Sequence, residues 1–504
     1  MNYYIAYDLG TGGVKASLYN EELETLAKSF IEYPTFIPAD NMHEQKPEDW
    51  WNGVVESTRL LLEKSAVDEK DIDCIALSGQ SCVAIPLDKN LKLIKEQIPI
   101  WSDTRAECEA QELFSKIDEE LWYMATGNGF PAPCYAIFKL MWMKKHEPDL
   151  FKKIYKVVGS KDYINLRMTG TLMMDYSYAS STGVYDLKER VMREDFLEAA
   201  GIPKDFFPEI VSSHTVVGNM TPEAARQLGL RTGVKVACGG VDNACMALGA
   251  VGAKEGAAYC SLGSSSWIPV NSTEPVLDFR TKPYVFAHIE EGMFTSAYSI
   301  FAGGSSYQWC RNHLCQDLMG DDAYKAMDEL ASTSPIGAGG VLFNPSLAGG
   351  TSQDKSIHIR GAFLGLNLGT RRADLIRATL EGVALNLKSS CDLLKKKVPL
   401  TDHLLFCGGG SKSRLWMQIF ADVFNMYIVK TNIDQDAASL GAAAICARAV
   451  GKINDYSVIS SLHHIQNVSE PNPDAVEKYA QIYRNFVTAS DMLSDFGDAV
   501  NKTR

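Results

Sequence analysis

Two stretches of this chain, one at its start and one just past its middle, are built alike, and that repetition limits the fold more than any other feature. Tyr3-Tyr-Ile-Ala-Tyr-Asp8 alternates, with Tyr3, Ile5 and Tyr7 on one face and Tyr4, Ala6 and Asp8 on the other. Leu9-Gly10-Thr11-Gly12-Gly13 interrupts it, and Val14-Lys-Ala-Ser-Leu-Tyr19 is extended again. Later, Ala257-Ala-Tyr-Cys260 leads into Ser261-Leu262-Gly263-Ser264-Ser265-Ser266 and then Trp267-Ile-Pro-Val. Each reads as a hairpin. The first turn holds more glycine than a hairpin requires and directly follows an acid. Backbone N–H groups in such a loop can converge on a phosphate with no side chain blocking the approach. Lys15 could assist, although a strand lysine is more often simply solvated. Two copies of one device predict a duplicated domain closing over a shared cleft.

Between the copies lies Val236-Ala-Cys-Gly-Gly-Val-Asp242-Asn243, an apolar run broken by two glycines and followed by a carboxylate and an amide. The small apolar series from Ala244 to Ala250 then predicts a helix. Asp242 fits two roles at this point: a helix N-cap, or a ligand-facing group at the kind of strand end where open α/β sheets bind ligands.

Polar residues gather after two further apolar runs. Asp71–Leu77 opens into Ser78-Gly79-Gln80-Ser81-Cys82, and Ile98–Trp101 leads to Ser102-Asp103-Thr104-Arg105. Donors and acceptors beside an aromatic wall suit a sugar; an ordinary loop with an Asp103–Arg105 ion pair fits equally well. His403–Cys407 is a predicted strand, broken by Gly408-Gly409-Gly410 before a helix around Leu415–Phe420. That arrangement is a flat backbone platform at a helix N-terminus, suited to a nucleotide. Pro47 and its neighbouring acids predict a helix through Leu62, and Asp374 begins another with one buried face. Lys139–His146 reads as an amphipathic core helix with His146 as a C-terminal charge. The helix near Ala438–Ala443 is small enough to let another element approach closely.

At 504 residues the chain exceeds a single core. Its formal charge of -13 argues against nucleic-acid binding. No apolar run is long enough for a membrane span, and the first residues lack a basic signal-peptide start. The twelve cysteines form no Cys-x-x-Cys pair, which predicts buried free thiols and a cytoplasmic location. Neither Gly-x-x-x-x-Gly-Lys-Ser/Thr nor Gly-x-Gly-x-x-Gly occurs, so the usual grounds for a P-loop or a dinucleotide fold are missing.

Taken together, Asp8-Leu-Gly-Thr-Gly-Gly13, Gly239-Gly-Val-Asp-Asn243, Ser261-Leu-Gly-Ser-Ser265 and Gly408-Gly-Gly410 resemble the FGGY carbohydrate kinases. Gly361-Ala-Phe-Leu-Gly365-Leu366 with Asp374-Leu375 and Ala378-Thr-Leu-Glu381 resembles that family's second signature. Lys139-Leu-x-Trp142-Met resembles half of the first, with Cys134 and Ala136 departing from it. Glu44-Gln-x-Pro-Glu-x-Trp-Trp51 and Trp101-x-Asp-x-Arg105 resemble the xylulokinase branch. The resemblance implies an α/β fold of two ribonuclease-H-like (actin/hexokinase-type ATPase) domains around a central cleft, expected over residues 1–247 and 248–504. It implies ATP and Mg²⁺ as cofactors and a ketose, by default a pentulose such as D-xylulose, as substrate; a homodimer is one option the sequence leaves open. Asp242 would be the general base, with Asp8 and Asp242 near the metal-bound phosphates. Gly10, Thr11, Gly12, Gly13, Gly263, Ser264 and Ser265 would flank those phosphates, and Gly409, Gly410 and Ser413 would meet the nucleotide. Gln80, Ser81, Cys82, Trp101, Asp103, Arg105, Asp242 and Asn243 would face the sugar. Two departures fall on the sugar side: Ser81-Cys82-Val83 replaces the usual Met-His-Gly, and Gly349-Gly350-Thr351-Ser352 replaces Gly-Glu-Arg-x-Pro. The alternatives are a kinase for another ketose or polyol (hexulose, ribulose, tetritol), a non-enzymatic actin-like ATPase and a degenerate sugar sensor.

Overall fold

The computed structural model describes residues 2–318, 320 and 322–503. Strands β1 (Tyr3–Leu9), β2 (Gly13–Tyr19), β3 (Thr25–Glu32), β4 (Ile72–Gly79), β5 (Val216–Asn219) and β6 (Lys235–Ala237) form one sheet in the order β5-β6-β4-β1-β2-β3, and the short β7 (Gly240–Val241) also pairs with β4. A second sheet runs β10-β11-β9-β8-β12-β13-β14. Its strands are β8 (Tyr259–Leu262), β9 (Ser266–Ser272), β10 (Tyr284–Ala287), β11 (Phe294–Ile300), β12 (His403–Cys407), β13 (Tyr427–Thr431) and β14 (Ile465–Ser469).

The two sheets repeat one topology. In the first, β2 is antiparallel to both β1 and β3, β4 is parallel to β1 and β6, and β5 turns back antiparallel. In the second, β9 is antiparallel to β8 and β11, β12 is parallel to β8 and β13, and β14 turns back antiparallel. The duplication predicted from two Gly-rich hairpins therefore extends to six strands of each sheet, with β7 in the first and β10 in the second left unmatched.

Strand parity explains why Asp8 matters. Ile5, Tyr7 and Leu9 enter a core with Trp50, Trp51 and Val54 of helix α1 (Pro47–Ser65). Tyr4 and Ala6 enter a different core that includes Ala442–Ala447 from the far end of the chain. Asp8 shares the parity of Tyr4 and Ala6, so it lies on the face that meets the second half of the molecule.

That contact is made by paired helices. Helix α2 (Asp242–Val251) follows β7, α3 (Arg372–Lys395) and α4 (Arg414–Phe424) cover the second sheet, and α5 (Ala437–Ala449) follows β13. α2 and α5 hold equivalent places in the two repeats and pack directly on each other. Small residues prevail on both helices, and at two positions nothing larger than glycine fits. A Cβ added at Gly249 would stand 1.8 Å from Ala437 O, and one at Gly441 would stand 2.1 Å from Cys245 O. The largest core cluster thus includes residues of both halves. No helix among the described residues is long and apolar enough to cross a membrane. All twelve cysteines are free, and only Cys108 is exposed.

Replacing Gly441 by Val should force the crossing apart and destabilise the protein by about 1–3 kcal/mol, the usual cost of overpacking a close contact. Denaturant unfolding reads this directly, and an unchanged midpoint would show that the helices do not touch as described.

Candidate active site

The first hairpin turn closes through Gly10 N–H donating to Gly13 O at 3.0 Å. Gly13 has no room for a side chain, since a Cβ there would lie 2.4 Å from Ile31 O. Across the sheet, Asp8 is opposite Lys15 on β2 and Ser78 on β4, and Ser78 is opposite Gly240 on β7. One line of backbone therefore carries Lys15, Asp8, Ser78 and the glycine that precedes the α2 turn. Ser78 Oγ donates to Asp8 Oδ1 at 2.9 Å. Burial pushes the Asp8 carboxyl up, while Lys15 and Ser78 pull it back. Lys15 Nζ donates to Gln435 O at 2.7 Å, so this lysine reaches across to the second half.

Asp242 begins α2, but Val241 is the N-cap residue; the Asp242 carboxylate accepts from the neighbouring Asn243 N–H, at 2.8 Å, and from its own backbone N–H. Asp242 is therefore the first residue of the helix and not its N-cap, although its carboxylate satisfies N–H groups of the first turn. Gly239 has a φ of 75° and lies against Leu77, where a Cβ would be 2.2 Å from the carbonyl oxygen. Desolvation first, and then the negative charge of Asp8, raise the Asp242 carboxyl to about 7. Asn243, next along the helix, is half-buried.

On the sugar side Gln80 is buried and held by a relay. Its Nε2 donates to Gln45 Oε1 at 2.9 Å, which also accepts from Trp50 Nε1, while Gln45 Nε2 donates to Thr11 O at 2.7 Å. This leaves Gln80 Oε1 buried without a partner among the described residues. Trp101 is 40% exposed, and its Nε1 donates to Thr11 Oγ1 at 2.9 Å, so the aromatic wall is tied to the phosphate-type loop. Ser81 and Cys82 are buried beside it, with Cys82 at a φ of 58°.

Asp103 and Arg105 form the internal ion pair that the sequence left open. Arg105 donates from Nε and Nη2 to Asp103 and reaches Glu44 at 2.7 Å, and His43 N–H donates to Asp103 at 2.8 Å. Their charges are spent on each other. Lys139 was read only as part of a core helix, yet its buried ammonium donates to Cys82 O at 2.9 Å and Ile100 O at 2.6 Å. It ties together both polar segments of the pocket. A lysine in an apolar helix face was the available signal.

In the second half, Ser261 occupies the place that Asp8 holds in the first, opposite Trp267 on β9 and Cys407 on β12. The turn at Gly263 and Ser264 is buttressed by the helix Gly304–Leu314, whose Gly304 and Ser305 N–H groups donate to Gly263 O and Ser264 O at 2.7 and 3.1 Å. The sequence reading did not include that helix; Gly303-Gly304 ahead of two serines was its trace. Gly408 has a φ of 93° and packs on Leu262, so the triple-glycine platform adjoins the same turn. Around Gly409 a Cβ would meet nothing within 4 Å, which leaves that backbone open. Ser413 Oγ already accepts from Trp416 N at 3.0 Å as the cap of α4.

Twin lobes of this topology, each presenting a strand–turn–strand loop, define the actin- and hexokinase-type phosphotransferase class. Family models place the chain further: the N-terminal domain of the FGGY carbohydrate kinases matches residues 3–249 and the C-terminal domain matches 258–450, and the chain belongs to that family. It is an ATP-dependent phosphotransferase with an alcohol group as acceptor. It is similar to the xylulose kinase of Bacillus subtilis (strain 168), 31% identical over 98% of each chain, and to the gluconokinase of that strain, 27% identical over 98% of this chain and 96% of the relative. A crystal structure of xylulose kinase from Rhodospirillum rubrum superposes with a TM-score of 0.90 at 28% identity, covering 99% of this chain and 100% of that one.

Lys139→Met keeps the stem but strands the carbonyls of Cys82 and Ile100. We expect a stability loss of about 1–3 kcal/mol and a raised KM for the sugar. A variant with unaltered melting and KM would show that these carbonyls find other donors.

Proposed function

We propose that the chain transfers the γ-phosphoryl group of ATP to a terminal hydroxyl of a pentulose, D-xylulose first, with Asp242 as general base. The observation that carries this reading is a carboxylate on the first helical residue after a Gly turn, raised to about 7 by burial and by the charge of Asp8 at the neighbouring strand end. A group poised there takes a proton from an alcohol far more readily than an ordinary aspartate.

Asp8 and Asp242 are the residues that would hold Mg²⁺. Among the described residues no group of three or more His, Cys, Asp or Glu stands ready for a metal, which suits an ion carried chiefly by nucleotide phosphates and waters. Bound there, it would offset the charge that develops on the phosphoryl oxygens. The backbone of Gly10–Gly13 and Gly263–Ser265 is assigned to the phosphates, with Gly409 and Gly410 beneath the adenosine. Ser413 is the weakest member of that set, because its oxygen is already engaged. Gln80 Oε1, Trp101 and Asn243 are assigned to the sugar, while Asp103 and Arg105 act by holding the pocket wall. Two family-model matches meeting between residues 249 and 258 support the division of lobes near residue 250. Closing the lobes would exclude water and suppress ATP hydrolysis.

The gluconokinase relatives favour one second reading, an aldonate as acceptor, and the rewritten Ser81–Cys82 segment lies where such a change would fall. A panel of D-xylulose, D-ribulose, hexuloses, tetritols, glycerol and gluconate, scored by sugar-stimulated ADP release, decides between them. Stimulation by none would turn the assignment towards a non-enzymatic ATPase. Asp242→Asn should lower phosphorylation by about 10²–10⁴-fold while ATP binding persists, and near-normal turnover would remove Asp242 from its role.

The pH profile follows from the same group. A carboxyl raised to about 7 is protonated below that pH, so kcat/KM for the sugar should fall as pH drops through about 7 and level off above it. In Asp8→Asn the repelling charge is gone, and the limb should move to lower pH. A limb that stays in place would mean that another group titrates.

A further inference from the structure

Beneath the Asp242 turn lies a buried ion cluster that the reading above leaves unused. Lys161 is fully buried, and its Nζ lies 2.5 Å from Asp162 Oδ1, 3.0 Å from Asp175 Oδ1 and 3.1 Å from Cys238 O. Burying three ionisable groups away from water is costly even when they pair, and it is justified only where they also satisfy other groups. Asp162 also accepts from Gly159 N–H and Asp175 from Tyr178 N–H, while Lys161 and two serines bonded to Asp175 connect the cluster to the segment that leads into Asp242.

Asp175 Oδ2 accepts from Ser177 N at 3.0 Å, Ser177 Oγ at 2.5 Å and Ser213 Oγ at 2.9 Å. Having given its proton to Asp175, the Ser177 hydroxyl offers a lone pair to Val241 N–H, 2.9 Å away. Val241 is the N-cap of α2 and immediately precedes Asp242. Asn165 Nδ2 donates to Cys238 O at 2.8 Å beside Lys161, and Gly239 N–H donates to Ser213 O at 2.9 Å. The backbone of the turn is therefore pinned at Cys238, Gly239 and Val241, by side chains and loops that converge on one carboxylate.

We propose that Asp175, acting through Ser177, is a positioning residue for the phosphoryl-transfer step: it fixes the Ser177 hydroxyl as an acceptor for Val241 N–H and so aims the Asp242 carboxylate. Lys161 balances the charge of Asp175 and holds the preceding carbonyl. This rests on the assignment of Asp242 as base. A purely structural role, in which Asp175 only caps the short helix Tyr176–Ala179, predicts altered melting without a selective change in the chemical step.

Ser177→Ala separates these readings, because it removes the relay and leaves Asp175 to cap that helix through backbone N–H groups. Turnover is counted per ATP-binding site, so that unfolded molecules drop out. The expected result is a kcat lowered by about 10–100-fold, the scale of a small misplacement of a reacting group, with KM for sugar and for ATP changed by less than about twofold. Asp175→Asn should show the same split with a larger loss of kcat. Wild-type kcat in Ser177→Ala, or a loss that appears in KM alone, overturns the proposal. Asp242→Asn is measured in parallel. If it collapses while Ser177→Ala does not, only the positioning role falls; if Asp242→Asn turns over normally, the base assignment itself has failed.

Discussion

Two half-buried carboxylates, Asp8 and Asp242, that feel each other's charge are the constraint around which this molecule is arranged. Asp8 and Asp242 each resist ionisation through burial, and the charge of Asp8 raises Asp242 further. Such a pair is tolerable only if the protein pins both partners. Ser78 and Lys15 moderate Asp8, whereas no cationic group relieves Asp242. The two differ in their surroundings: both are raised by burial, but only Asp8 has a lysine and a serine hydroxyl pulling it back. On the proposed reading, a metal-bound polyphosphate would ease the repulsion between the two carboxylates.

Duplication supplies the frame for this pair. Each repeat sends a helix from the end of an inner strand, and the two helices meet through Gly249 and Gly441 with no room for a methyl group. Because α5 covers the sheet that carries Asp8, the second half of the chain completes the core of the first. Asp8 and Ser261 occupy the same place in the two repeats, yet one is an acid and the other a hydroxyl. On the proposed reading the repeats have diverged to do different things, one bearing the carboxylates and the other an uncharged backbone cradle.

Where the determinants were local, the sequence revealed them. The two hairpins, the Gly-Gly-Val-Asp turn and the triple-glycine platform each announce themselves by composition within a few residues, and the strands and helices around them formed close to where periodicity placed them. Relationships between distant segments were not legible. Nothing in Lys161-Asp162 signals that it will sit under Cys238, and nothing in Lys139 signals that it will bridge Cys82 and Ile100. A buried lysine looks like a surface lysine until its partners are known. Asp103 and Arg105 show the converse: the residue types suit a sugar, but the geometry spends their charge on each other and on Glu44. Ser413 reads as a nucleotide contact, and its second task, capping the helix that follows, was not legible.

Those internal commitments bear on where substrate choice can reside. Charged groups locked in a mutual pair cannot reorient towards a new ligand without losing bonds that cost about 3–5 kcal/mol to break. The wall built by Glu44, Asp103, Arg105 and Lys139 is therefore a rigid backing. On the proposed sugar assignment, what remains adjustable is a short set of uncharged groups: the unpaired Gln80 oxygen, the indole of Trp101, and the small side chains of Ser81 and Cys82. Neutral donors and acceptors discriminate hydroxyl patterns by leaving a buried partner unsatisfied when the match is wrong, a penalty of about 1–3 kcal/mol per group. A family that keeps its transfer chemistry while changing its sugar would vary at such positions first. In this chain the departures at Ser81 and Cys82 fall on that adjustable edge, while Asp242, Asp8 and the glycine loops keep the family pattern.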